Sequence, residues 1–305
     1  MSDTNTSLSH SMSFLRRFAT YIGERFPGHI ALLYSVLFSL CVLVFTDTSV
    51  TGGDFVSAPF IIVTATIFLF FVRLRLVDEI KDYRYDSQYH SERPVTRGIL
   101  RLTEIKYLIL ITLVLEFIFQ LGNTYAGIIT YGIFLLYSYF MYKEFYRKSF
   151  FSQHLLAGLL AHQFIFMLAT LFALSTMQQR LPELDPNFFI FILFMFAPPF
   201  MFELGRKLEH RKDDRGENTD DTYIFRWGLV SSFLFLMIIS FIQGTALTYL
   251  LGDRYYFGLA YNGVLVLTII WFLKSRFVVS KTAKYWSVLL ALLGMALYVV
   301  NKIGI

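Results

Sequence analysis

Cysteine is nearly absent. Cys41 stands alone among 305 residues, so the chain has no intramolecular disulfide and no cysteine-based metal centre. Proline is scarce, with seven, and charge is scarce as well: 16% of the residues, against about 25% in an ordinary soluble domain. With 56% hydrophobic residues, these shortages exclude a disordered chain, a collagen and a disulfide-stapled scaffold. They also exclude a water-soluble globule, because a core of this size cannot hold so much apolar surface. The expected class is an integral membrane protein, with no nucleic-acid partner.

What is present is a series of long apolar runs. Nine are legible, each about 17–24 residues, the length that crosses about 30 Å of hydrocarbon as a helix. They lie near 29–46, 55–77, 104–121, 124–142, 155–176, 188–205, 227–250, 256–273 and 285–301. The expected architecture is one all-α, polytopic membrane domain over 1–305. Residues 1–28 form a leader without a signal-peptide pattern. Within it, Phe14, Leu15, Phe18, Ile22 and Phe26 share one helical side, so a helix lying at the membrane interface is expected up to Pro27.

The few charges are unevenly placed. Twenty-four of the 27 Lys and Arg fall on one side of the nine spans; only Arg180, Arg254 and Lys302 fall on the other. The positive-inside rule makes the basic side cytoplasmic, with the N-terminus inside and the C-terminus outside a cell membrane. Acids gather on the same side, which orientation does not explain. Glu116 lies within the third span.

Two charged segments follow the second and sixth spans. In the first, Asp78, Glu79, Asp82 and Asp86 fall at about 0°, 100°, 40° and 80° on a helical wheel, with Arg75 projecting into the same stripe. Four carboxylates on one face repel unless a cation sits among them. Hard divalent ions such as Mg²⁺ take oxygen ligands of this kind, often beside substrate phosphates. The plainer reading is a solvated helix end. In the second segment, Glu203, Arg206, Lys207 and His210 share a face suited to an anion such as a diphosphate. Pro198-Pro199 upstream is expected to bend the sixth span. A third basic loop, with Lys143 and Arg147, is explained by orientation alone, although a diphosphate contact is open to it. The two charged segments sit four spans apart, which suggests two four-helix halves and an added ninth helix.

Nine spans with charged segments after the second and sixth resemble the UbiA superfamily of intramembrane prenyltransferases. Asp78-Glu79-x-x-Asp82-x-x-x-Asp86 is similar to that family's Asn-Asp-x-x-Asp-x-x-x-Asp. Glu92-Arg93-Pro94, followed by Gly98, looks like its Asn-Arg-Pro-x-x-x-Gly turn, and Thr222 with Gly228 looks like its Thr-Leu-x-x-x-x-Gly pattern. The second motif departs: Glu203-x-x-Arg206-Lys207 stands where the family carries Asp-x-x-Asp or Asp-x-x-x-Asp, with Asp213 and Asp214 as substitute acids.

The resemblance implies a helical bundle around a central cavity open to the cytoplasm. It implies transfer of an isoprenyl group from a prenyl diphosphate to an aromatic or lipid acceptor. Mg²⁺ would sit on Asp78, Glu79, Asp82, Asp86 and Glu203, with Asp82, Asp86 and Glu203 as the catalytic set. Arg75, Arg93, Arg206, Lys207, Lys143 and Arg147 would meet the diphosphate. Tyr83, Tyr137 and Tyr139 are candidates to face an allylic cation. Two competing readings remain: a transporter using Glu116, His162 and Gln163, and a UbiA-like protein that binds a prenyl diphosphate without transferring it.

Overall fold

A computed structural model describes residues 13–47, 51–209 and 222–303. Among them the secondary structure is helical, with no strand. His210, Asp213 and Asp214, part of the second charged segment, lie outside the described residues.

The leader forms α1, Phe14–Arg25, capped by the Ser13 hydroxyl. Then come α2 (Gly28–Thr46), α3 (Ala58–Tyr89), α4 (Leu102–Gln120) and α5 (Tyr125–Tyr142). The fifth apolar run is broken into α7 (Leu155–Gln163) and α8 (Ile165–Met177), preceded by a short α6 (Lys148–Gln153). The Tyr137 hydroxyl donates to the Ala161 carbonyl at 2.7 Å, near that break. After these follow α9 (Pro186–Arg206), the short α10 (Tyr223–Trp227), α11 (Leu229–Leu250), α12 (Tyr256–Lys274) and α13 (Arg276–Ile303). The α9 helix starts on an Asp185 cap with Pro186 in its first turn, where proline's missing N–H costs nothing, and it runs on through Pro198 and Pro199.

Eight helical segments are long and apolar enough to cross a membrane, counting α7 and α8 together. The chain is therefore a multi-pass membrane protein. The expected third span, α4, has the length, 19 residues, but it carries three charges, Glu104, Lys106 and Glu116, and is not among the eight.

The helices divide into two compact units. The first holds residues up to Val36 and 62–122. Its core joins Tyr21, Leu76, Val95, Leu100 and Ile105, with Phe18 and Ile22 of α1 packed against it. Within this unit Arg73 of α3 meets Glu116 of α4. Its Nε and Nη2 donate to the two carboxylate oxygens at 2.8 and 3.2 Å, and Glu116 is wholly buried. Gln120, one turn on, donates to Thr66 Oγ1 at 3.0 Å. Arg73 is itself 6% exposed inside the helix pair, since a buried carboxylate without a cation is far costlier than a buried pair.

The second unit holds residues 37–61 and the helices from α5 onward. In it α9 packs against α11, α13 and α8. Two close approaches depend on glycine. A Cβ on Gly205 would collide with the Ser287 side chain, and one on Gly294 would meet the Gln243 amide at 2.5 Å. In return Gln243 donates to the Ala291 carbonyl at 3.1 Å and accepts from the Tyr261 hydroxyl at 3.0 Å. Small residues let membrane helices approach closely, and the freed space goes to interhelical hydrogen bonds.

Glu116→Gln, which leaves the Arg73 charge unmatched, is expected to cost about 3–5 kcal/mol. Arg73→Met with Glu116→Leu is expected to cost clearly less. Denaturant titration of the purified protein in detergent compares the two.

Candidate active site

The acidic stripe lies on the last turns of α3, beyond its apolar part. The wheel spacing divides it into two pairs. Glu79 and Asp86, about 20° apart on the wheel, turn inward and are each 2% exposed. Asp78 and Asp82, one turn apart, lie on the more open face, where Asp82 is exposed and Asp78 half-buried.

Three arginines of the same unit converge on the inward pair. Arg75 Nη2 donates to Glu79 Oε1 at 2.6 Å from one turn away. Arg25 Nε, from α1, donates to the same oxygen at 3.0 Å, and its Nη2 lies 4.0 Å from Asp86. Arg93 Nη1 donates to the other Asp86 oxygen. The turn after α3 sets Arg93 in place: its carbonyl accepts from Arg97 N at 2.9 Å and from the Thr96 hydroxyl at 2.7 Å, while Gly98 takes φ +75°, a conformation that favours glycine.

Two polar atoms here have unspent capacity. Arg75 Nε and the Tyr21 hydroxyl are buried without hydrogen-bond partners. Burial, reinforced by the Glu79 charge, pushes the Tyr21 hydroxyl well above the usual tyrosine range, so it stays neutral. Arg25 and Tyr21 were missed in the sequence because α1 was read for its apolar face alone. The signal was there: Arg17, Tyr21 and Arg25 recur every four residues, and Arg17 grips Glu104 at 2.6–2.9 Å.

The described part of the second charged segment belongs to the second unit and centres on Glu203. Glu203 accepts from Arg206 Nη2 at 2.8 Å and Nε at 3.2 Å, and from Lys207 Nζ at 3.1 Å, all at the end of α9. The Lys207 ammonium also lies 5.2 Å over the Tyr223 ring. Thr222 caps α10 by accepting from Phe225 N at 3.4 Å, and Gly228 ends it at φ +76°. Lys143 and Arg147 are exposed around the turn after α5, with Lys143 Nζ 4.8 Å from the Tyr142 ring. Of the three tyrosines considered for an allylic cation, Tyr83 packs on the first unit's core, Tyr137 is bonded to the helix break, and Tyr139 shares a 3.1 Å hydroxyl contact with Tyr146.

Among the described residues no three His, Cys, Asp or Glu side chains are grouped to hold a metal ion by themselves. Asp78 and Asp82 nevertheless suit Mg²⁺, which takes one or two carboxylates together with substrate phosphates and water. The Asp82 carboxylate makes no ion pair with the described cations, so its oxygens are available. Glu203, already shared by two cations, is a poor metal ligand in this arrangement. Of the groups suggested for a transport path, Glu116 is engaged with Arg73 and His162 Nδ1 with the Gly158 carbonyl at 2.8 Å, while the buried Gln163 Oε1 has no hydrogen-bond partner among the described residues.

The model of the UbiA prenyltransferase family matches residues 35–295. The fold is similar to a solved structure described as digeranylgeranylglyceryl phosphate synthase in membranes, with 13% identity, a TM-score of 0.63, and coverage of 95% of this chain and 100% of that one. No curated protein matches the chain.

The arginine pairs should hold α1 on the first unit. Arg17→Gln with Arg25→Gln is expected to speed amide exchange across 14–25 by at least about tenfold, read by hydrogen–deuterium exchange.

Proposed function

The chain belongs to the UbiA prenyltransferase family, and from that premise we propose that it moves an isoprenyl group from a prenyl diphosphate to an aromatic or lipid acceptor within the membrane. The single observation that supports this most is the divided stripe on α3. Two carboxylates lie on its open face, and three guanidiniums stand beside it on the inward acids.

In this reading Asp78 and Asp82 hold Mg²⁺, which supplies positive charge to the diphosphate as it leaves. Glu79 and Asp86 keep Arg25, Arg75 and Arg93 oriented before substrate binds. A diphosphate offers these guanidiniums stronger, bidentate partners than two shared carboxylates. As they turn to phosphate oxygens, Glu79 and Asp86 become available as further oxygen donors. The unspent Arg75 Nε and the neutral Tyr21 hydroxyl add two donors for the same anion. In the second unit Glu203 steadies Arg206 and Lys207 as that unit's diphosphate contacts. Its proposed role is thus to position cations rather than to bind metal. Orientation suffices to explain Lys143 and Arg147. We place the basic helix ends in the cytoplasm of a cell membrane, the N-terminus inside and the C-terminus outside.

Purified protein in detergent, given Mg²⁺ and a set of prenyl diphosphates with candidate acceptors, is expected to release diphosphate. Asp82→Asn should lower that release by about 100-fold or more, since charge stabilisation of a leaving group is worth several kcal/mol. Chelation of the metal should abolish it. Unchanged turnover in Asp82→Asn would sink the proposal. Tight, metal-dependent binding without product would instead make the chain a prenyl-diphosphate-binding member of the family.

A further inference from the structure

At the end of α9 remote from Glu203 lies a second polar site, unrelated to the acidic stripe. Four helix ends surround it: the end of α2, the start of α9, the end of α11 and the end of α13. A pocket of about 360 Å³ there is lined by Asp185, Asn187, Tyr249, Tyr298 and Lys302, among others. Its two charges are opposite in sign, yet Lys302 and Asp185 make no ion pair with each other. One Asp185 oxygen accepts from Phe188 N at 2.7 Å as the helix cap, and the other only a 3.4 Å contact from Asn187. A carboxylate with capacity for further donors remains. Tyr298 is wholly buried, and its hydroxyl has no hydrogen-bond partner.

Tyr249 also lines a second, apolar groove of about 500 Å³ between α9 and α11. Leu193, Ile238, Ile242 and Ala246 are among its walls, and the first three are exposed on the lipid-facing surface. From Ile238 to Tyr249 the groove runs eleven residues of α11, about 16 Å at the helical rise. One leaflet of hydrocarbon is about 15 Å deep, half of the whole core. A polar pocket at the helix ends, sharing the Tyr249 wall with an apolar groove about one leaflet long, has the dimensions and polarity of one membrane lipid.

We propose that this paired pocket and groove is a binding site for a phospholipid with a primary amine in its headgroup. Lys302 binds the phosphate, Asp185 and the Tyr249 hydroxyl receive the ammonium, and an acyl chain lies in the groove. The opposite charges, too far apart to satisfy each other, match a headgroup that carries both. An anionic headgroup without an amine would leave Asp185 facing a negative charge, and a quaternary amine has no N–H to donate. The site does not depend on prenyl transfer.

Native mass spectrometry of the full chain, released from detergent micelles containing phosphatidylethanolamine, phosphatidylglycerol or phosphatidylcholine with matched acyl chains, tests this. Phosphatidylethanolamine is expected to be retained about tenfold better than the other two, as a charge-assisted hydrogen bond implies. Lys302→Ala should reduce that retention about tenfold. Asp185→Asn keeps the helix cap and should erase the preference for the amine. Thr245→Trp fills the groove while leaving the pocket intact, and should lower retention by itself, so the outcome does not rest on one variant. Equal retention of all three lipids, no loss in Lys302→Ala, or displacement by a prenyl diphosphate but not by phospholipid, each overturns the proposal.

Discussion

A buried carboxylate needs a cation, and the first unit is organised around that requirement. Glu79, Asp86 and Glu116 are each buried to 2% exposure or less, and each is answered by arginine. The arginines come from separate elements. Arg25 comes from α1, Arg93 from the turn after α3, and Arg73 and Arg75 from α3 itself. Meeting the charge requirement therefore also docks α1 and fixes the turn. It leaves Asp78 and Asp82 as the acids turned to the open face. The same pairing keeps three partly buried guanidiniums close together, which would repel one another without the carboxylates between them. Stability and anion binding thus draw on one set of charges.

The second unit follows a different rule. Its core is aromatic and aliphatic, with Phe45 stacked on Phe191 at 4.0 Å and Phe233 on Phe272 at 3.8 Å. Its polar groups are amides and hydroxyls placed where glycine lets helices touch. Its charges gather at helix ends and turns, among them the Glu203 triad of α9, Asp185 at the start of α9 and Lys302 of α13. The two family motifs thus differ in character: the first is acidic and partnered from a distance, while in the second Glu203 is paired with Arg206 and Lys207 of its own helix end.

Much of this was legible in the sequence. Nine apolar runs are legible, of which eight are span-like helices in the structure; α1 follows from its amphipathic pattern, and the α3 stripe from helical spacing. The motifs around Arg93, Thr222 and Gly228 proved to be a turn, a helix cap and a helix stop. What stayed hidden was pairing across elements. Helical periodicity says that Glu79 and Asp86 share a face, but not that Arg25, 54 residues before Glu79, reaches them. Likewise nothing in the charged run around Arg73 points to its partner Glu116, 43 residues away. The break between α7 and α8 has no proline or glycine to announce it at Phe164.

The Arg73–Glu116 pair also bears on how the chain is made. Inserted singly, α3 would carry an arginine, and α4 a glutamate, into hydrocarbon, at about 2.5–3.5 kcal/mol for a charged residue near a helix centre. Inserted as a hairpin, the two charges neutralise each other before either meets lipid. Entry of the two helices together thus avoids a cost that neither would escape alone.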